Sequence, residues 1–158
     1  MCLIIDKNCL RIFTATTDIV CYKIIQHYSQ LNILEMLTVK KCLSRKYQNI
    51  RLSNHYFSPF RFDLVVFDKL LTAEGNTDVL NFSYEGFINN DHEIHVEGGA
   101  FHSYTDIESL INDICGAFSF KIAECIIPKG TKYVEGFNDN RYPNYASEKI
   151  IYKKILDL

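Results

Sequence analysis

The residues best suited to hold a ligand gather in about the last sixty positions of the chain. The segment Phe101-His102-Ser103-Tyr104 stands just before a predicted helix. The start of a helix presents free N–H groups and a partial positive charge, and both favour a phosphate group. The segment therefore predicts one wall of a site for an anionic ligand.

Two further groups of polar and aromatic residues follow along the chain. Arginine forks bind phosphate or carboxylate through two hydrogen bonds, and aromatic faces stack on bases. Together with residues 101–104, these groups predict a site for a nucleotide-like small molecule. The alternative is a solvated loop whose tyrosines pack on the core. The residues are Lys129, Lys132 and Tyr133 around a Pro-Lys-Gly turn, and Asn138, Asn140, Arg141, Tyr142 and Tyr145 in the last loop.

Patterns for metal binding and for catalysis are weak. His92 and His95 lie three residues apart, which in a strand places them on opposite faces, and adding His102 produces no known zinc spacing. Cys2 would be an N-terminal nucleophile if Met1 were removed, yet the same residues are equally typical of a first core strand. No nucleophile elbow, phosphate-binding loop or dinucleotide glycine pattern occurs. We expect no metal, no cofactor and no catalytic residue.

Composition limits the class of protein. A chain of 158 residues with 47% hydrophobic residues predicts one domain, 1–158, with a substantial core. A net charge of −2 argues against binding of a nucleic acid polymer, which calls for a basic excess. No apolar run is long enough to span a membrane. No secretory leader is evident, so we expect buried, reduced thiols in a cytoplasm at Cys2, Cys9, Cys21, Cys42, Cys115 and Cys125.

Hydrophobic spacing predicts an α+β fold of mostly antiparallel strands with one or two helices, for which two small packed sheets are one possible arrangement. The clearest helix is 105–115, where Thr105 and Glu108 form a capping box. Apolar residues on both faces of 18–26 indicate a central strand. Other predicted elements are a hairpin of 2–6 with 9–15, a helix within 28–47, strands at 63–71, 79–88, 92–97, 118–127 and 149–156, and turns at 74–78, 89–91 and 128–130.

Three segments resemble a family of small proteins carried by bacteriophages and bacterial mobile elements. The resemblance covers about half of the chain and implies no particular reaction, but it does imply a bacterial host. Its segments are Met-Cys-Leu at the start with Asp-Ile-Val-Cys-Tyr-Lys at 18–23, Phe-His-Ser-Tyr at 101–104, and Ile-Ile-Pro-Lys-Gly-Thr-Lys-Tyr at 126–133 with Tyr-Ala-Ser-Glu-Lys-Ile at 145–150.

A more distant resemblance is to ADP-ribosyltransferases, which bind NAD between two small sheets. The chain is similar to them in the order of a basic residue in a strand (Lys23), a Phe-x-Ser-x-Thr segment at 101–105, and Ser147-Glu148 at a late strand. The family has an arginine where Lys23 stands, and it has a second acidic or amide residue where Ala146 stands. If the protein were such an enzyme, Glu148 would be its catalytic residue.

These observations predict a non-enzymatic, phage-type binding protein of the bacterial cytoplasm. Its ligand would be a nucleotide-derived immune signal of the host, such as an ADP-ribose derivative or a cyclic nucleotide. The protein would act as a sponge in immune evasion, and a homo-oligomer would help a small chain to enclose its ligand. The alternatives are an enzyme that uses NAD and an inhibitor that binds a host protein through the aromatic loop 55–62.

Overall fold

The computed structural model describes residues 3–37, 54–59, 64–73, 81–83, 93–97, 100–114 and 120–157. Strands dominate this part of the chain. They are β1 (Leu3–Asp6), β2 (Phe13–Thr14), β3 (Ile19–His27), β4 (Tyr56–Phe57), β5 (Leu70–Thr72), β6 (Asn81–Ser83), β7 (Glu93–Glu97), β8 (Phe101–Tyr104), β9 (Lys121–Ile127), β10 (Lys132–Phe137), β11 (Pro143–Ser147) and β12 (Lys149–Leu156). The helix α1 spans Ile107–Asp113, and short 3-10 helices span Lys7–Cys9 and Tyr28–Gln30.

The strands form one large sheet, in the order β5-β12-β9-β3-β8-β11-β10-β1-β7-β6, with β2 beside β10 and β4 beside β3. The paired strands are antiparallel. The prediction of mostly antiparallel strands is therefore confirmed. The strands do not divide into two small packed sheets, because β8 joins β3 on one side and β11 on the other.

Strand β3 is the central strand that the sequence predicts. It pairs with β9 over seven positions, from Ile19 opposite Ile127 to Ile25 opposite Lys121. Side chains alternate between the two faces of a strand, and residues 23–26 of β3 are buried on both faces, whereas Val20 near the start of the strand is exposed. On one face, Cys21 and Ile25 join an apolar cluster that also contains Val65 and Tyr152.

The opposite face of the sheet carries α1. Leu110 of this helix is fully buried against Ile24, Tyr104 and Ile122. An apolar stripe along α1 explains this contact, because residues three and four apart share one side of a helix. The helix thereby covers the β3–β8–β9 region on this face of the sheet. It does not cover the opposite face of β8, β10 and β11.

Several local predictions are wrong. Residues 2–6 and 9–15 do not pair as a hairpin: β1 pairs with β10 and β7, and β2 pairs with β10. The Asp6 carboxylate accepts a hydrogen bond from Asn8 N and starts a 3-10 helix where a turn was predicted. The cap of α1 is Asp106 rather than Thr105, since its side chain accepts from Ser109 N at 2.7 Å.

Other predictions are confirmed in part. Residues 28–30 form a 3-10 helix and 33–37 are α-helical, but residues 31–32 between them are not helical. Residues 38–47 of the predicted helix lie outside the described residues, as do the turns 74–78 and 89–91. Within 63–71, Leu64 and Phe67 form isolated bridges, and a strand begins only at Leu70. The strands predicted at 92–97, 118–127 and 149–156 correspond to β7, β9 and β12.

Candidate functional site

Three aromatic side chains lie side by side on one face of the sheet, and we call Phe13, Tyr133 and Tyr145 the aromatic ledge. Phe13 is the cross-strand partner of Tyr133, and their rings stack with centroids 5.4 Å apart. The rings of Tyr133 and Tyr145 stand perpendicular at 5.5 Å. All three side chains are half-buried. The ledge thus presents partly exposed ring surface held by β2, β10 and β11.

Ser103 lies next to the ledge as the cross-strand partner of Tyr145. Its side chain is buried, with a relative exposure of 1%. Apart from the neighbouring Cys21 thiol, its hydroxyl has no hydrogen-bond partner among the described residues. A buried hydroxyl normally finds a strong partner, so this one keeps hydrogen-bonding capacity that the described residues do not use.

Lys23 enters the same face from β3, next to Ser103. It is almost fully buried, and its Nζ donates a hydrogen bond to the carbonyl oxygen of His102. Burial raises the pKa of the Cys21 thiol to about 11, and the contacts with Ser103 and Lys23 offset only part of that effect. Cys21 is therefore a neutral thiol at physiological pH, which makes it a poor nucleophile.

The charge beside the ledge is negative. Glu135 is the cross-strand partner of Tyr145 and lies two residues after Tyr133, so all three share one face. Burial, with a smaller contribution from the Glu135 carboxylate, raises the pKa of both tyrosines. Asp106 adds a weaker effect of the same sign on Tyr145. The phenols are therefore neutral at physiological pH, and the Glu135 carboxylate supplies the negative charge beside them.

A second cluster lies on the opposite face and fastens the last loop to α1. The Asp113 carboxylate accepts hydrogen bonds from the Tyr104 hydroxyl, from Asn138 Nδ2 at 2.6 Å and from Asn140 Nδ2 at 2.6 Å. Asn138 Oδ1 accepts from the backbone N–H groups of Asn140 and Tyr142, at 3.1 and 2.9 Å. Burial, and then Asp113, raise the pKa of Tyr104 well above its ordinary value. This cluster stabilises the loop.

The structure brings together four residues of the predicted site and separates the others from them. Phe101 and Ser103 share the ledge face with Tyr133 and Tyr145, because register partners lie on the same side of a sheet. Tyr104, Asn138 and Asn140 are engaged with Asp113. His102 and Tyr142 are half-buried on the other face, whereas Lys129, Lys132 and Arg141 are exposed, the last with a φ of 66°.

The start of α1 does not offer the free N–H groups that the sequence predicts for a phosphate. The Asp106 carboxylate accepts from both Ser109 N and Ser109 Oγ, at 2.7 and 2.8 Å. The hydrogen bond from the Ser109 backbone is the main reason why the pKa of Asp106 is lowered. A carboxylate thus occupies the position expected for the phosphate, and it would repel an anion.

Phe13 and Glu135 belong to the site but were missed. Phe13 lies in a two-residue strand, and its position beside Tyr133 depends on a pairing between distant segments. Glu135 could have been predicted from the sequence, because residues two apart in a strand share a face and Glu135 lies two residues after Tyr133.

The aromatic loop at 55–62 is less exposed than an interface anchor should be, because Phe57 is fully buried. Residues 60–62 lie outside the described ranges.

Other expectations concern metal ions, thiols and membranes. In the part of the chain that the structure describes, no three His, Cys, Asp or Glu residues lie close enough to hold a metal ion. Cys21 and Cys125 are buried free thiols as predicted, but the prediction of a buried thiol is wrong for Cys9, which is exposed at the end of a 3-10 helix. Cys2 and His92 are outside the described residues. Among the helices formed by those residues, none has the length and apolar character needed to cross a membrane.

Comparisons with protein-family models, with curated proteins and with solved structures find no match for this chain.

Proposed function

We propose that the protein binds a nucleotide-derived small molecule on the aromatic ledge and holds it without chemical turnover. The observation that carries this proposal is the adjacency of three half-buried rings, at 5.4 and 5.5 Å, on one face of the sheet. Aromatic faces stack on any base, and alanine substitution of such a ring costs roughly 1–3 kcal/mol per base. The Ser103 hydroxyl beside Tyr145 would orient the polar edge of the bound ring.

Lys129 is the best placed of the predicted basic residues to contact a phosphate. Its turn is held against the end of β2, since Gly130 N donates to Ala15 O at 2.8 Å and Lys129 N to Asp18 Oδ1 at 2.9 Å. Lys129 is exposed at the Phe13 end of the ledge. Lys132 begins β10 one residue before Tyr133 and therefore leaves from the opposite face, so we assign it a smaller role.

The groups around the ledge support binding rather than turnover. The Cys21 thiol is neutral, and the amine of Lys23 is engaged with a backbone carbonyl. We propose a phage-type sponge that removes a host immune signal, such as an ADP-ribose derivative or a cyclic nucleotide. A homo-oligomer would enclose a ligand on this face more completely than one chain does.

One observation favours a second candidate, an enzyme similar to ADP-ribosyltransferases. Lys23 and the Ser103 of the Phe-x-Ser-x-Thr segment lie on adjacent strands and on the same face. That arrangement is compatible with the order of residues in the family. The enzyme hypothesis predicts cleavage of NAD, and it predicts that Glu148→Gln abolishes the cleavage.

Calorimetry with recovery of the ligand distinguishes these functions. The panel holds NAD, ADP-ribose, cyclic ADP-ribose isomers and cyclic dinucleotides. A ligand at about 100 times its dissociation constant adds roughly 2.7 kcal/mol to the free energy of unfolding. Binding followed by release of intact ligand on denaturation supports the sponge, whereas release of altered ligand favours the enzyme. If no compound in the panel binds, the sponge proposal fails for these ligands.

A further inference from the structure

The distribution of charge along the ledge differs between its two ends. Lys129 lies in the turn at the Phe13 end, while Glu135 lies at the Tyr145 end. Glu135 lies three residue steps along β10 from Lys132, which is about 10 Å, and the turn that holds Lys129 directly precedes Lys132. A base and its 5′-phosphate are separated by a distance of the same order. A nucleotide lying along the ledge would therefore place its base beside Glu135.

Glu135 is placed where its carboxylate could contact a bound ligand. Its side chain is exposed, and it forms no ion pair within the described part of the chain. It stands next to the half-buried ring of Tyr145 and shares the face of Tyr133. The face of an aromatic ring is the negative end of its quadrupole, and it attracts a cation placed over it. The carboxylate adds a full negative charge at the same place.

We infer that the aromatic ledge selects a nucleotide whose base is a cation at neutral pH, that is, a base alkylated on a ring nitrogen. This inference rests on the proposed function and identifies the class of its ligand. The two perpendicular rings of Tyr133 and Tyr145 hold the cationic ring, and Glu135 neutralises its charge. A neutral base gains only the stacking contact and leaves the carboxylate without a partner.

Two isomeric nucleotides test the inference, because they differ only in the position of one methyl group and therefore in whether the base is protonated at neutral pH. The base of 1-methyladenosine 5′-monophosphate is a cation at neutral pH, and that of N6-methyladenosine 5′-monophosphate is neutral. We expect calorimetry to show about tenfold tighter binding of the cationic isomer to the wild-type protein, within the range of a cation held over aromatic rings. Equal affinities, or a preference for the neutral isomer, would overturn the inference.

The variant Glu135→Gln keeps the size of the side chain and removes its charge. We expect its preference for the cationic isomer to fall below about threefold while its affinity for the neutral isomer stays the same. Asp157→Asn is the matched control, because Asp157 is an exposed carboxylate beyond β12, and it should keep the wild-type preference. If Glu135→Gln also keeps the full preference, Glu135 is not the selecting group and the inference fails.

Failure of this inference can be told apart from failure of the proposed function. If both isomers bind equally and Tyr145→Leu weakens both, the ledge is a nucleotide site without selection by charge. If neither isomer binds, and the nucleotides of the wider panel do not bind either, the proposed function fails together with the inference.

Discussion

The hydroxyl of Tyr104 donates a hydrogen bond to the carboxylate of Asp113, and this contact joins β8 to the last turn of α1. The same carboxylate holds Asn138 and Asn140 of the β10–β11 loop. Three donors converge on one acceptor in a partly buried position. Such hydrogen bonds to a charged group contribute more to stability than neutral ones do. The Asp113 cluster therefore determines where the loop lies.

We predict that Tyr104→Phe lowers the free energy of unfolding by about 1.5–3 kcal/mol, because a buried hydrogen bond to a carboxylate is lost. Urea unfolding measures the change. Tyr22→Phe is the matched control, since Tyr22 is half-buried in the same apolar cluster and no hydrogen bond of its hydroxyl is seen with a described residue. A similar small change in both variants would show that the Tyr104–Asp113 contact contributes little.

The buried thiol of Cys21 predicts a dependence of stability on alkaline pH. Its pKa is about 11 in the folded protein and 9.0 is its ordinary value, so the unfolded chain ionises first. The contribution of the neutral thiol is complete below pH 9 and is lost as the pH rises toward 11. The destabilisation caused by Cys21→Ala should therefore shrink by about 2 kcal/mol across this interval.

Urea unfolding of the wild type and of Cys21→Ala at several pH values measures that difference. The titrating groups that do not interact with Cys21 are common to the two proteins and cancel in the comparison; Cys125 and Tyr145, whose pKa values Cys21 helps to raise, contribute a smaller part of the difference. Cys9→Ala serves as the control, because Cys9 is exposed and its removal should cost the same at every pH. A cost of Cys21→Ala that does not change with pH would contradict the buried, neutral thiol.

Gly136 allows β1 to approach β10. A Cβ atom at this position would meet the backbone oxygen of Ile4, and it would lie 2.9 Å from Leu3 Cγ. The backbone of a paired strand cannot move away at low cost. We predict that Gly136→Ala destabilises the protein by about 1–3 kcal/mol, the usual cost of overpacking.

Thermal unfolding measures this change, and Gly130, which lies in a turn, provides the comparison. Gly130 has a φ of 83° with nothing within 4 Å of the added Cβ, so Gly130→Asn should be tolerated better. If Gly136→Ala were as stable as the wild type, β1 would not pack on β10 at the observed distance.

Local sequence patterns predict many of the helices and strands, but they do not predict which strands pair with each other. The spacing of apolar residues predicts β3, β9 and α1, because each pattern lies within one segment. Pairing of β1 and β2 with β10 joins segments more than one hundred residues apart, so the adjacent runs at 2–6 and 9–15 were paired with each other. Residue type likewise identified Tyr133 and Tyr145 as candidates. Phe13 could be assigned to the site only once the register between β2 and β10 was known.

Residue type alone also cannot separate a ligand group from a structural one. Asn138, Asn140 and Tyr104 have the hydrogen-bonding groups of a nucleotide site, yet their side chains are engaged by Asp113. Asp113 was not among the predicted site residues. Its position at the end of α1, facing the loop, depends on how the helix packs against β8 and β3.

The basic residues give a prediction about affinity. Lys129→Gln should weaken binding of ADP-ribose by about three- to tenfold, because a charge-assisted contact to phosphate is lost. Lys132→Gln should have a smaller effect, since Lys132 leaves from the opposite face. Calorimetry at two salt concentrations measures both variants. Lys121→Gln, an exposed lysine on β9, is the control, and an equal loss there would indicate only a general charge effect.

The most direct test of the proposed site is calorimetric titration of ADP-ribose into the wild type, Tyr133→Leu, Tyr145→Leu and Phe120→Leu. Leucine keeps the apolar packing and removes the ring. Phe120 is a half-buried aromatic residue of the cluster beneath α1, on the face of the sheet opposite the ledge. We predict that each tyrosine variant loses at least about tenfold in affinity while Phe120→Leu binds as the wild type does. Binding that is unchanged in folded tyrosine variants, or that falls equally in all three, would contradict a ligand site on the aromatic ledge.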